Sequence, residues 1–138
     1  MAAKAKDLVL DSWSVIAFLQ NEPAAEDVAN LIADVTEGGG NVLISVVNAG
    51  EIWYIFAREE SEREADAAIA DLSQIGVQIV DADWHLTRIA AAFKARGRLS
   101  CADAFAAALA KQHKCELVTG DREFKVVESE VKIRWLGK

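Results

Sequence analysis

The 138-residue sequence contains one proline, two cysteines and two histidines, and each shortage excludes something. A single proline argues against long proline-rich linkers and predicts that most of the chain is folded. Cys101 and Cys115 stand alone, with neither a CxxC pair nor metal-ligand spacing. They are expected to be reduced thiols, not a disulfide framework, which fits a cytoplasmic compartment. No His or Cys lies at ligand spacing, which disfavours zinc. Long hydrophobic runs are also missing. A membrane span needs about 18 to 20 apolar residues, and the apolar stretch near the start, "DLVLDSWSVIAFL", is broken by Asp11. The expectation is a soluble, intracellular protein with no membrane association. Positive charge is short as well. Fifteen Lys and Arg face twenty-two Asp and Glu, for a net charge of -7. Taken at face value this speaks against a general phosphate-binding surface, although acids gathered around a metal would distort such a sum.

Hydrophobic residues make up 52% of the chain, and strand-like and helical periods alternate along it with no internal repeat or composition shift. One domain over residues 1–138 is predicted, with residues 1–6 as a frayed tail. The strand candidates are "DLVLD", "NVLISVV", "VQIVD", "CELVTGD" and "VKIRWL", all short and rich in Val, Ile and Leu, as strands covered on both faces should be. Helical spacing recurs between them. The clearest case is "PAAEDVANLIADVTEGGG", which puts Val28, Leu31, Ile32 and Val35 on one face, with Pro23 suited to the first helical position and Gly38 to the C-cap. "NAGEIWYIFARE" and the alanine-rich "SCADAFAAALAKQHK" are further helices. Strands separated by helices predict a three-layer α/β/α domain around a mainly parallel sheet of about five strands. Ligands of such sheets bind beyond the carboxyl ends of the strands.

Four acids map to that edge. Asp11 closes the first strand and Asp121 follows the fourth, in "LVTGDREF"; Glu51 lies near the start of one helix, and Asp103 at the start of another. Asp103 reaches the edge only if its helix begins there. Each acid also has a purely structural explanation. Asn48-x-x-Glu51 and Ser100-x-x-Asp103 resemble capping boxes, Asp11 can cap the helix from Ser12, and Asp121 suits a Gly-Asp turn. Capping alone predicts scattered, satisfied acids, whereas a functional role predicts convergence. Two carboxylates 4 to 5 Å apart repel by roughly 3 to 4 kcal/mol at an effective dielectric of 20, so a shared pocket needs cations or protons. Oxygen ligands alone suit Mg²⁺ or Mn²⁺, and this is the layout of a metal-dependent phosphodiesterase.

The stretches "VLDSWSVIAFLQNEP", "ISVVNAGEIWYIFAR" and "LSCADAFAAALAKQHKCELVTGDREF", in that order and spacing, resemble the PIN domain, and more closely the VapC-like toxins of bacterial and archaeal toxin-antitoxin pairs. The resemblance runs from about Leu8 to Leu136. It implies a PIN-like fold and a single-strand-directed endoribonuclease using Mg²⁺ or Mn²⁺, commonly a homodimer, inhibited by a small VapB-like antitoxin. Asp11, Glu51, Asp103 and Asp121 correspond to the catalytic and metal-site acids of that family, and Ser12, Asn48 and Thr119 to supporting polar positions. One departure stands out: Trp13 occupies a place where the family often has a small or hydroxyl residue.

Without the four acids the charge sum becomes -7 + 4 = -3, which leaves Lys94, Arg96, Arg98, Lys111, Lys114, Arg122 and Lys125 as local attraction for RNA phosphates. Arg122, beside Asp121, is the candidate phosphate contact, with an Asp-Arg pair at a turn as the alternative. Trp53, Tyr54, Phe56, Phe93 and Phe105 recur at helical spacing and are expected in the core or a dimer interface. Trp84, His85 and His113 receive no role. Two other functions remain open on the sequence: a receiver-like signalling module whose acids hold Mg²⁺, and a catalytically silent PIN-like binding protein. The first would want two adjacent acids early in the chain and a Lys after a late strand. Asp7 and Asp11 are four apart, and "LVTGD" has no Lys.

Overall fold

The computed structural model describes residues 5–137, so the first four residues of the expected tail lie outside the described residues. Ala5 donates its N–H to the Gly38 carbonyl oxygen at 2.8 Å. Five strands form one parallel sheet: β1 (Leu8–Leu10), β2 (Val42–Ser45), β3 (Val77–Val80), β4 (Glu116–Thr119) and β5 (Ile133–Trp135), in the order β3-β2-β1-β4-β5. The register sets Val9 beside both Leu43 and Leu117, so these three side chains share one face of the sheet. Leu8, Leu10, Val42, Ile44 and Val118 fall on the other.

Each face is covered by helices, as the doubly apolar strands require. α1 (Ser12–Leu19), α2 (Ala25–Glu37), α3 (Val46–Glu59) and α4 (Glu62–Gln74) contribute Val15, Val28, Ile32, Ile52, Phe56 and Leu72 to one core. α5 (Trp84–Arg96), α6 (Cys101–His113) and a 3₁₀ helix (Arg122–Val127) contribute Leu86, Phe93, Leu109, Phe124 and Val127 to the other. Ala102, Ala104, Ala106, Ala107, Ala108 and Ala110 of α6 are all buried. A helix buried on nearly every side needs small residues to lie close to both sheet and neighbours.

Two local expectations are corrected. Pro23 does not open α2. The Ala25 N–H bonds the Glu22 carbonyl at 2.8 Å, which closes a turn with Pro23 at its second position, where a fixed φ is favourable. Nor does Asn48 cap α3. The cap is Ser45, whose side chain accepts the Asn48 N–H at 3.0 Å, so the helix starts two residues before Asn48, at Val46. Gly38 does cap α2.

The connections leave β1 toward β2 on one side, and return from β3 to β4 on the other side of β1. The chain therefore splits between β1 and β4, and the crevice beyond their carboxyl ends is the natural ligand position in a sheet of this kind. α6 precedes β4 and runs back against the sheet, so its first turn opens onto the same edge.

Candidate active site

Asp11 follows β1 and is fully buried. It caps α1: Oδ1 accepts the Ser14 N–H at 2.8 Å, and the Ser14 hydroxyl donates to the Asp11 carbonyl oxygen at 3.0 Å. Its other oxygen, Oδ2, accepts a hydrogen bond from the Thr119 hydroxyl at 2.5 Å. The same Thr119 oxygen accepts the Asp121 N–H at 3.0 Å. One hydroxyl at the end of β4 thus ties the first acid to the loop that carries the last. Asp121 in turn caps the 3₁₀ helix by accepting the Glu123 N–H at 3.0 Å.

A second chain of hydrogen bonds joins the start of α1 to α3. The Asn48 amide donates to the Ser12 hydroxyl at 3.0 Å, while the Ser45 hydroxyl donates to the Asn48 side-chain oxygen at 2.5 Å. Ser12, Ser45 and Asn48 are all buried. This network fixes the first turn of α3 against the start of α1, and so aims the next turn, which carries Glu51. Asp103 lies in the first turn of α6, its N–H bonded to the Ser100 hydroxyl at 3.2 Å.

The electrostatics show which acids feel one another. Burial pushes the Asp11 carboxyl up to about 7, opposed by the Thr119 and Ser14 hydrogen bonds and reinforced by the charge of Asp103. Asp103 is raised to about 6, by burial first, then by the charges of Asp121, Glu51 and Glu123. Asp103 thus lies within charge range of Asp11, Glu51 and Asp121, and the caps expected from Asp11, Ser100 and Asp121 form as well. The structural role and a shared site are therefore compatible: caps fix Asp11, Asp103 and Asp121, and the fold brings those ends to one edge.

The PIN domain model matches residues 8–130. The chain belongs to the PIN domain family. No curated protein matches it. Among solved structures, the fold is similar to a chain of the Rickettsia felis VapBC2 complex bound to a promoter DNA fragment, at 14% identity and a TM-score of 0.74, over 95% of this chain and 99% of that one. It is also similar to Mycobacterium tuberculosis VapC20, a toxin described as cleaving the sarcin-ricin loop, at 22% identity and a TM-score of 0.70, over 92% and 98% of the two chains. A third similar structure is Neisseria gonorrhoeae FitAcB, at 20% identity and a TM-score of 0.66, over 91% and 95%.

Against the PIN fold, several polar residues of the crevice went unassigned in the sequence. Ser45 and Ser14 carry hydrogen bonds that hold Asn48 and Asp11, and Glu123 adds a fifth charge facing Asp103. Ser45 could have been found from its place three residues before Asn48, a spacing that signals an N-cap. Arg122 is not ion-paired with Asp121 among the described residues; its guanidinium lies over the Trp135 ring, 4.7 Å from the centroid. Arg96 and Lys111 both pair with Glu130, which removes them from the free cations. Of the aromatics, Phe56, Phe93 and Phe105 are buried, whereas Tyr54 is exposed beneath Arg58.

The donors suit a hard cation in type, since the acids are accompanied by the hydroxyls of Ser12, Ser14 and Thr119 and not by His or Cys. Among the described residues no three such groups stand close enough to hold an ion directly.

Proposed function

We propose that this PIN-domain chain is a metal-dependent endoribonuclease that cuts single-stranded or looped RNA, and that it is the toxin of a toxin-antitoxin pair in the cytoplasm. The observation that carries the reading is that Asp103, at the start of α6, feels the charges of Asp121 and Glu51, while the buried Asp11 feels that of Asp103, at the split between β1 and β4. Carboxyls raised by burial together with a neighbouring acid, as Asp11 and Asp103 are, form a functional-site signature. Here they would hold Mg²⁺ or Mn²⁺, with Asp11, Asp103 and Asp121 as the principal ligands and Glu51 beside them. When bound, such an ion supplies an activated water and neutralises charge on the phosphate.

The chain's own residues have distinct tasks. Thr119 and Ser14 hold the Asp11 carboxylate in one orientation and offset part of the cost of its ionisation in a buried place. Ser45, Asn48 and Ser12 position α3 and, through it, Glu51. Asp103, raised to about 6 by burial and by the neighbouring acids, is the carboxyl whose charge a bound cation would most relieve. Arg122, exposed beside Asp121, is the proposed phosphate contact. Similar structures include a Klebsiella pneumoniae toxin-antitoxin complex and Mycobacterium tuberculosis VapBC-5 of the VapBC toxin-antitoxin family, which supports a VapB-like antitoxin as partner; the homodimer is proposed on the family resemblance alone.

The test is cleavage of a mixed single-stranded RNA pool with Mg²⁺. Asp103→Asn should lower the rate by about a hundredfold or more, because a metal site contributes several kcal/mol to transition-state stabilisation. A variant that cuts at the wild-type rate rejects the reading. Expression of the chain alone should arrest growth, with relief from the neighbouring antitoxin gene; harmless expression of an active nuclease would leave an RNA-processing enzyme in place of a toxin.

A further inference from the structure

Trp13 is a large exposed apolar side chain that follows Asp11 by two residues, between the buried Ser12 and Ser14. One part of its ring lies on Gly120: a Cβ placed there would run into the indole at Cζ2, Cζ3 and Cη2. Gly120 links Thr119 to Asp121, so the indole is braced by the backbone that carries the last acid. Trp13 also lines a cavity of about 250 Å³, together with Glu22, Pro23, Ala24, Asp27 and Gly137.

The lining decides what can enter. It contains two exposed carboxylates and no Lys or Arg, and neither Glu22 nor Asp27 takes part in an ion pair among the described residues. A phosphate is repelled there. A flat group with an apolar face and N–H donors on its edge is accepted, because a carboxylate only accepts hydrogen bonds and an indole offers a stacking surface.

We propose that Trp13, Glu22 and Asp27 form a subsite for one unpaired guanine adjoining the acid crevice. The inference rests on the nuclease reading above and deepens it. Guanine presents two adjacent donors, N1–H and the N2 amino group, which match the two oxygens of one carboxylate. Adenine and cytosine set their amino group beside an acceptor that a carboxylate repels, and uracil has a single N–H between two carbonyls. Trp13 supplies the stacking face, and Asp27 or Glu22 reads the edge, the usual division of labour in recognition of splayed RNA bases.

The experiment measures equilibrium binding, with Mg²⁺, of short single-stranded RNAs that differ only in one central base: guanine, inosine or adenine. Full-length Asp103→Asn protein is used to prevent cutting, and the cut positions of the otherwise wild-type protein on a random RNA pool are mapped in parallel. Guanine should bind about tenfold tighter than adenine. Trp13→Ala should weaken the guanine RNA about tenfold, and Trp13→Phe should keep most of the affinity. Asp27→Asn combined with Glu22→Gln should erase the preference for guanine over inosine, which lacks the amino group. Thermal melting of each variant checks that the loss is not one of folding. Equal binding of guanine and adenine RNAs, or a Trp13→Ala variant with unchanged binding and cut positions, overturns the subsite. So does Trp13-dependent capture of an arginine-containing peptide with RNA binding unaffected, which would give the cavity to a protein partner. Guanine-dependent binding without cleavage by the wild type supports the subsite and rejects the nuclease reading; cleavage without base preference does the reverse.

Discussion

Asp11 is an acid that the fold would hold more cheaply without its charge. Burial raises its pKa from 3.8 to about 7, and the hydrogen bonds from Thr119 and Ser14 only partly offset that. Asn can still accept the Ser14 N–H as an N-cap and can donate its amide to the Thr119 oxygen, which offsets part of the acceptor that the Thr119 hydroxyl gives up, and it carries no charge into the crevice. Asp11→Asn is therefore expected to unfold at higher denaturant than the wild type at pH 8 without divalent ions, by about 1 to 3 kcal/mol, while losing cleavage. A urea titration beside the RNA assay checks both. Gly120 offers a second case at this scale. Its role is not a positive φ; it is the space that its missing side chain leaves for the Trp13 indole. Gly120→Ala should cost about 1 to 3 kcal/mol by overpacking, and much less in a Trp13→Ala background. If the two changes are additive, the contact is not what constrains the glycine.

At the scale of elements, α3 shows why some of the site was hidden in the sequence. Its first residues, Val46 and Val47, are β-branched and continue the apolar run of β2, so "NVLISVV" looks like a single long strand. The strand ends at Ser45, which hid Ser45 as the cap and gave the capping role to Asn48. The acids were legible because strand ends and helix starts mark themselves with turn and capping residues, as Asp11 and Asp103 do. Asp103's arrival at the same edge was not, since it depends on the direction of α6 against the sheet, and periodicity carries no direction. Ser45→Ala should cost about 1 to 2 kcal/mol: the α3 cap is lost and Asn48, fully buried, loses a donor to its side-chain oxygen. Because Asn48 also holds Ser12, the same variant should slow cleavage. Cleavage at the full rate by a destabilised Ser45→Ala protein would confine the network to stability.

For the whole molecule, the convergence of acids from β1, α3, α6 and the loop after β4 makes stability a function of pH and of divalent ions together. Asp11 and Asp103 have folded-state pKa values of about 7 and about 6, above the value of 3.8 for an unperturbed Asp. Across that window the folded chain holds protons that the unfolded chain has already released. The contribution of these two groups is therefore most favourable below pH 4, declines as pH rises, and is fully lost above pH 7. A cation bound among the carboxylates reverses this, because it favours their charged forms and binds only the folded chain. At a hundredfold excess over Kd the gain is about 2.7 kcal/mol, a rise in Tm on the order of 10 °C for a domain of this size. Thermal melts with and without Mg²⁺ should thus separate at pH 8 and coincide at pH 4, where protons occupy the same oxygens. Asp11→Asn should flatten the metal-free decline and shrink the Mg²⁺ effect in the same series. A Mg²⁺ effect of equal size at both pH values, or one unchanged in Asp11→Asn, would mean that the ion binds elsewhere and that the crevice is held together by its caps alone.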